Sequence, residues 1–236
     1  MNYELKQCLS ERRALVRTLY DSPVSPEEIE SRSFAAIDAE AVNHGFSPEE
    51  WIIARRMIHT TANFALAGHI RISDDAIASA AEALKNLAGI YVDSNMMKSG
   101  ISQERLKSVN PGYTKDKIAC HVADAGVAEE AKKAGLPRSL FAVRKAREII
   151  DGGIAAFGNA PVALMELNRM IIEDGVRPAL VIAMPVGFVH VVESKEELMS
   201  LGVPHITLAG RFGGSPLAVS VIHSLCAIAS ARNGEV

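Results

Sequence analysis

Ala179-Leu180-Val181-Ile182-Ala183, followed at once by Met184-Pro185-Val186-Gly187, is the stretch on which the fold turns. An unbroken apolar run closed by turn residues has the character of a strand buried on both faces, as in a parallel sheet covered by helices. Comparable runs lie at residues 89–93, 117–121, 153–157 and 205–208. Helical patterns separate them, at about 74–87, 127–134, 137–150, 161–174 and 216–231. This alternation predicts right-handed βαβ units and a five-stranded, mainly parallel sheet between two helical layers. Each polar turn that follows a strand then falls at the carboxyl edge of one sheet, where open α/β proteins place their sites. Those turns are Asp93-Ser94-Asn95, His121-Val122-Ala123-Asp124, Gly158-Asn159-Ala160-Pro161, Pro185-Val186-Gly187 and Gly210-Arg211-Phe212-Gly213-Gly214-Ser215.

Upstream, Ser25-Pro26-Glu27-Glu28 and Ser47-Pro48-Glu49-Glu50 each show the N-cap, N1 proline and acidic first turn of a helix start. The second helix carries Arg55, Arg56, His59, Thr60 and Thr61 toward its carboxyl end. Ser194-Lys195-Glu196-Glu197 has the spacing of a capping box, with Lys195 as surface charge. Asn159, just before Pro161, is expected to cap the helix that follows. Asp93 and Asp124 at strand ends are expected to cap helices in the same way or to act as bases. A charged N-terminal helical extension at 1–25 and one α/β domain at 26–236 complete the organisation.

A chain of 236 residues with 48% hydrophobic content can bury one substantial core. A net charge of −3 argues against a nucleic-acid surface, so any attraction for anions must be local. Cys8, Cys120 and Cys226 are far apart and lack CxxC spacing, which suggests reduced thiols in the cytosol. With His69 and His121 they show no metal-ligand spacing either, so no structural metal is expected. The first 20 residues are too charged for a secretory signal. Ser220, His223 and Ser224 interrupt the apolar 216–231 stretch, which reads as a buried helix rather than a membrane span.

His59 is the first candidate for chemistry, because imidazole titrates near neutral pH and can deliver a proton. A histidine near a helix end is often only a capping partner, but the arginines beside it add the means to grip a carboxylate. The Gly210–Ser215 turn leads into a helix, whose free N–H groups and positive end can hold an anion. It is neither a Walker A loop nor GxGxxG after a first strand, which weakens a nucleotide or flavin reading. Arg138-Ser139, at another helix start, offers a second anion grip of the same kind.

Arg55-Arg56-Met57-Ile58-His59-Thr60-Thr61, Gly158-Asn159-Ala160-Pro161, Pro185-Val186-Gly187-Phe188-Val189 with Glu193-Ser194-Lys195, and Gly210-Arg211-Phe212-Gly213-Gly214-Ser215 together resemble the precorrin-8X methylmutases of cobalamin biosynthesis. The resemblance runs from about Ser31 to the C-terminus. It implies a three-layer flavodoxin-like sandwich, a homodimer with sites near the subunit boundary, and no organic cofactor. It implies an isomerase that moves a methyl group from C11 to C12 of the corrin ring of a tetrapyrrole, precorrin-8X or cobalt-precorrin-8. His59 is then the catalytic acid. Ser33, Arg56, Thr60, Arg138, Ser139, Asn159, Arg211, Gly213 and Gly214 are the substrate-binding positions. Asn63, Ala65, Val162, Leu136-Pro137 and His223 depart from the family pattern and leave a non-catalytic corrinoid-binding paralogue as the alternative.

Overall fold

The computed structural model describes residues 15–234. They fall into two compact units divided between Val42 and Asn43. The first unit holds helices α1 (Arg17–Asp21) and α2 (Pro26–Glu40). Ser25 caps α2 as its sequence predicts, its Oγ accepting the Glu28 N–H at 3.1 Å. Cys8 and most of the expected N-terminal helix lie outside the described residues.

The second unit contains the sheet. Its strands are β1 (Ile70–Ile72), β2 (Ile90–Val92), β3 (Ile118–Ala119), β4 (Ile154–Phe157), β5 (Leu180–Ala183) and β6 (His205–Leu208). They lie side by side in the order β1-β6-β5-β4-β2-β3. All neighbours are parallel except β1, which runs antiparallel to β6 with Ile70 opposite Leu208. The parallel strands taken alone follow the flavodoxin order, whose direction of winding reverses between β2 and β4. The sheet therefore has six strands rather than five. The extra strand is three residues long and exposes Arg71, so it carries no apolar run for a sequence reading to find.

Strand alternation divides the interior into two cores. Ile90, Val92, Ile154, Ala156, Ile182 and Ile206 face one side, packed on α3 (Pro48–Thr61), α4 (Ala76–Lys85), α5 (Asn95–Gly100), α6 (Gln103–Val109) and α12 (Ser215–Asn233). Tyr91, Ala155, Phe157, Val181 and Ala183 face the other, under α8 (Arg138–Lys145), α9 (Arg147–Ile150), α10 (Pro161–Glu173) and α11 (Val191–Ser200). α7 (Ala125–Ala134) packs on α8 through Val127 and Ala131. The expected helix at 137–150 is thus two helices, broken at Ala146, whose ψ of 5° leaves the helical range. α12 has the length and hydropathy of a membrane span, yet most of it is buried in the first core.

α3 begins with the predicted capping box: Ser47 Oγ accepts from the Glu50 N–H and the Ser47 N–H donates to Glu50. Two other capping assignments fail. Ser194 lies inside α11, is buried, and donates its hydroxyl to the Val191 carbonyl at 3.0 Å, because the helix already starts after His190, whose φ is +59°. Asn159 is not the cap of α10, since that position falls on Ala160 and no side chain bonds there.

Asp93 takes over at that turn. Its carboxylate, 2% exposed, accepts the N–H groups of Gly158, Asn159 and Ala160 at 3.1, 2.8 and 2.8 Å. It thereby ties the end of β2 to the loop after β4, at the point where the winding reverses. Burial pushes its pKa up, while the three N–H donors hold the charged form and oppose that rise. Gly158 is required there because a Cβ would stand 2.6 Å from Ser215 Cα and 2.8 Å from Met97 Sδ. Asp93→Ala leaves three inward N–H groups unsatisfied and should cost about 3 kcal/mol of stability, read as a lower urea midpoint with unchanged slope. A loss below ~1 kcal/mol would show that water replaces the carboxylate at no cost.

Candidate functional site

The carboxyl edge of the sheet opens beside the start of α12. A cavity of about 310 Å³ is lined there by Arg56 and Thr60 of α3, Met96 of α5, and Ser215, Ser220 and His223 of α12. α3 delivers its residues because Ile53, Ala54, Met57 and Ile58 bury one face and leave the polar ones at the edge of that face. Thr60 Oγ1 donates to the Arg56 carbonyl at 2.8 Å, which fixes the last turn. His59 does not itself line the cavity. It is partly exposed in that same turn, and its spacing of three residues from Arg56 places both side chains on one helix face. Ala62, at φ +49°, ends the helix immediately afterwards.

Ser215 closes the cavity on the α12 side, with its Oγ 3.1 Å from the hydroxyl of Ser94, the N-cap of α5. The cavity thus sits beside the switch loop that Asp93 organises. His223 Nε2 accepts the Ser102 N–H at 3.0 Å, so its lone pair is engaged and the ring proton resides on Nδ1.

The Gly210–Gly214 turn has an unexpected foundation. Lys195 was expected at the surface but is 1% exposed, and its Nζ donates to the carbonyls of Gly210 at 3.1 Å and Phe212 at 2.6 Å. Among the described residues it makes no ion pair. The signal was present in the sequence: Val191, Lys195 and Leu198 are spaced at four and three residues, the buried stripe of α11. Gly213 packs so tightly that a Cβ would stand 2.2 Å from the Met184 carbonyl oxygen. Arg211 is exposed, its guanidinium 5.4 Å from the ring centre of Phe188 on the neighbouring loop.

The remaining sequence candidates are dispersed. Asn159 is exposed on the switch loop and donates its backbone N–H to Asp93. Arg138 lines a separate recess with Lys132 and Pro137, next to Ser139 at the start of α8. Ser33 belongs to the first unit, where its Oγ donates to the Ile29 carbonyl at 2.8 Å. Among the described residues, no three His, Cys, Asp or Glu side chains converge as metal ligands. Asp124 accepts from Lys145 and contacts His121, and Lys145 above all holds its carboxyl below the usual range.

Burial lowers the Lys195 pKa from 10.5 to about 8. Above that value the folded ammonium loses its proton while the unfolded one keeps it up to 10.5, so the unfolded chain binds more protons and stability rises with pH. The stability of the parent relative to Lys195→Met should therefore increase between pH 8 and 10, measured by chemical unfolding at each pH. A difference that stays flat across that window would mean the amine is solvated.

Residues 28–228 match the family described as precorrin-8X methylmutase. The chain is 39% identical to the cobalt-precorrin-8 methylmutase of Leptospira interrogans over 212 residues, covering 86% of this chain and 94% of that protein. It is also 39% identical to the cobalt-precorrin-8 methylmutase of Priestia megaterium, covering 87% of this chain and 89% of the relative. The crystal structure of a precorrin-8X methylmutase from Thermus thermophilus superposes with a TM-score of 0.79 at 41% identity, over 86% of this chain and 96% of that one. With the flavodoxin-order sheet and the paired α3 and α12 termini at its carboxyl edge, the chain belongs to the precorrin-8X methylmutase family.

Proposed function

We propose that this protein is an isomerase of cobalamin biosynthesis that moves a methyl group from C11 to C12 of the corrin macrocycle. It would convert precorrin-8X to hydrogenobyrinate, or the cobalt-containing substrate to cobyrinate. Beyond family membership, the observation that carries this reading is the meeting of Arg56 and Thr60 with the start of α12 at one cavity, with His59 in the same last turn of α3. A macrocycle bearing acetate and propionate arms needs cations and N–H groups at its rim and one proton donor over its ring, and those are the groups gathered there.

The cavity lies at the low end of the range of about 300–1,000 Å³ typical for small-molecule sites, so it accepts one edge of the ring. The rest of the macrocycle lies along the exposed turns that carry Phe188 and Arg211. In this reading Arg56 and Arg211 hold carboxylates, Thr60, Asn159 and the Gly213 amide supply hydrogen bonds, and His59 protonates the conjugated system; Gly214, expected to bind substrate as well, has its N–H committed to the Met184 carbonyl at 2.8 Å. The proton withdraws electron density from C12, which makes that carbon a better terminus for the migrating methyl with its bonding pair. Substrate and product are isomers, so one proton must afterwards leave the ring. The imidazole freed in the first step stands ready to take it back. Arg138 and Ser139, beside a recess of their own, would reach the same ligand only from outside the cavity, which fits a site completed at a subunit boundary.

A homodimer is part of the proposal. Phe188, Val189 and Phe212 are exposed on the loops beside the site, an apolar group that a second copy would cover. A cytosolic location is proposed as well, since Cys120 and Cys226 are free thiols.

Purified protein mixed with precorrin-8X or its cobalt form should shift the visible spectrum to that of the corrin product. Absence of conversion under conditions where a relative such as the Priestia megaterium protein is active would refute the activity. His59→Ala should bind product as the parent does while turnover falls by about 10²-fold or more. An unchanged rate would remove His59 from the proton transfer.

A further inference from the structure

Lys195 has no part in the proton transfer, yet the protein keeps a buried ammonium where a methionine would fill the stripe of α11 without the desolvation cost. Its two acceptors explain what it does. The carbonyls of Gly210 and Phe212 belong to alternate peptide units of the turn, and both point inward to one Nζ. No peptide bond among the described residues is cis, and in a trans peptide the N–H points opposite to the C=O of the same unit. The N–H groups of Arg211 and Gly213 are therefore turned away from Lys195. Among the described residues neither donates to a backbone carbonyl, whereas the next N–H, that of Gly214, is held by the Met184 carbonyl at 2.8 Å.

The turn is locked in this orientation from the other sides too. Gly210 and Gly214 adopt φ of +78° and +131°, and Gly213 has no room for a Cβ against Met184 and Pro185. Directly after it comes Ser215, the first residue of α12 and a wall of the cavity.

We propose that Lys195 is a positioning residue for substrate binding: by gathering the Gly210 and Phe212 carbonyls it turns the Arg211 and Gly213 N–H groups outward, where with the Arg211 guanidinium they hold a carboxylate arm of the tetrapyrrole. This rests on the tetrapyrrole reading above and assigns a residue outside the cavity to one of its anchoring points. A lone pair of oriented peptide N–H groups is a recognised form of anion nest. Its formation here depends on a cation that never touches the anion. The neutral amine still donates to both carbonyls, so the arrangement survives deprotonation and the ligand sees little change as Lys195 titrates.

The test uses the full-length protein with the corrin product as probe, titrated by visible absorbance, and ¹⁵N NMR of the turn. In the parent, product should shift the Arg211 and Gly213 amide resonances downfield as they become donors. Lys195→Met should remain folded by circular dichroism and bind product about tenfold more weakly, the worth of roughly one charge-assisted hydrogen bond. KM should rise more than kcat falls, and Lys195→Gln, which keeps N–H donors, should recover part of the affinity. Arg211→Ala separates the two readings. If it weakens binding while folded Lys195→Met binds within twofold of the parent, the role of Lys195 falls and the turn stays in the site. If neither variant changes affinity, the turn does not hold the substrate at all. Should Lys195→Met fail to fold, the parent spectrum decides, because Arg211 and Gly213 amides indifferent to product overturn the proposal.

Discussion

The carboxylate of Asp93, clasped by three consecutive N–H groups of the Gly158–Ala160 turn, is the contact on which the site end of this protein depends. A parallel sheet whose winding reverses leaves a gap at its carboxyl edge between the two strands where the reversal occurs. Something must fix the loops that flank the gap, or the crevice has no defined shape. Here one buried anion does so from the end of β2, and Gly158, pressed against Ser215, transmits that position to the start of α12. The cavity wall formed by Ser215 and the Ser94 contact follow from this arrangement.

Lys195 is the electrical counterpart of Asp93. Each is almost fully buried, and among the described residues neither forms an ion pair. Each is solvated instead by peptide dipoles, N–H groups for the anion and C=O groups for the cation. Because every peptide unit carries both poles in opposite directions, a buried charge that collects one pole directs the other outward. Around Asp93 the sheet takes up one of the opposite poles, the Phe157 carbonyl accepting the Met184 N–H at 2.7 Å, whereas in the proposed arrangement Lys195 leaves the glycine turn presenting N–H. A tetrapyrrole with carboxylate arms calls for the second kind of face.

Much of this architecture is legible in the sequence. Unbroken apolar runs such as 179–183 mark strands buried on both sides, and the polar turns after them fall on one edge by topology alone. β1 escapes because three residues with an exposed arginine in the middle leave no periodic trace, and its antiparallel pairing with β6 is a tertiary choice. The Ser194 capping box misleads because spacing alone does not say where a helix starts, and the left-handed His190 starts α11 four residues early. Arg56 and Thr60 line the cavity, and of the Gly210–Ser215 stretch Ser215 does. Sequence marks Asp93 as a cap or base and Lys195 as surface charge, since it shows which groups are charged but not which backbone dipoles surround them.

The distribution of charge also limits how the site attracts its ligand. With a net charge of −3 the protein as a whole repels a polycarboxylate, and at physiological ionic strength fields fade within about 8 Å. In the proposed site, capture therefore falls to groups in direct contact: the Arg56 and Arg211 guanidiniums, the free N–H groups at the start of α12 and the two outward amides of the glycine turn. Peptide N–H groups carry no mobile side chain, so unlike lysine they bind with little loss of conformational freedom. They are also local dipoles, which lets the turn hold one carboxylate without drawing every anion in solution to the surface. On the proposed reading, a protein of net negative charge would in this way bind a large polyanion by shape and oriented backbone, with the arginines deciding which edge of the ring enters beside His59.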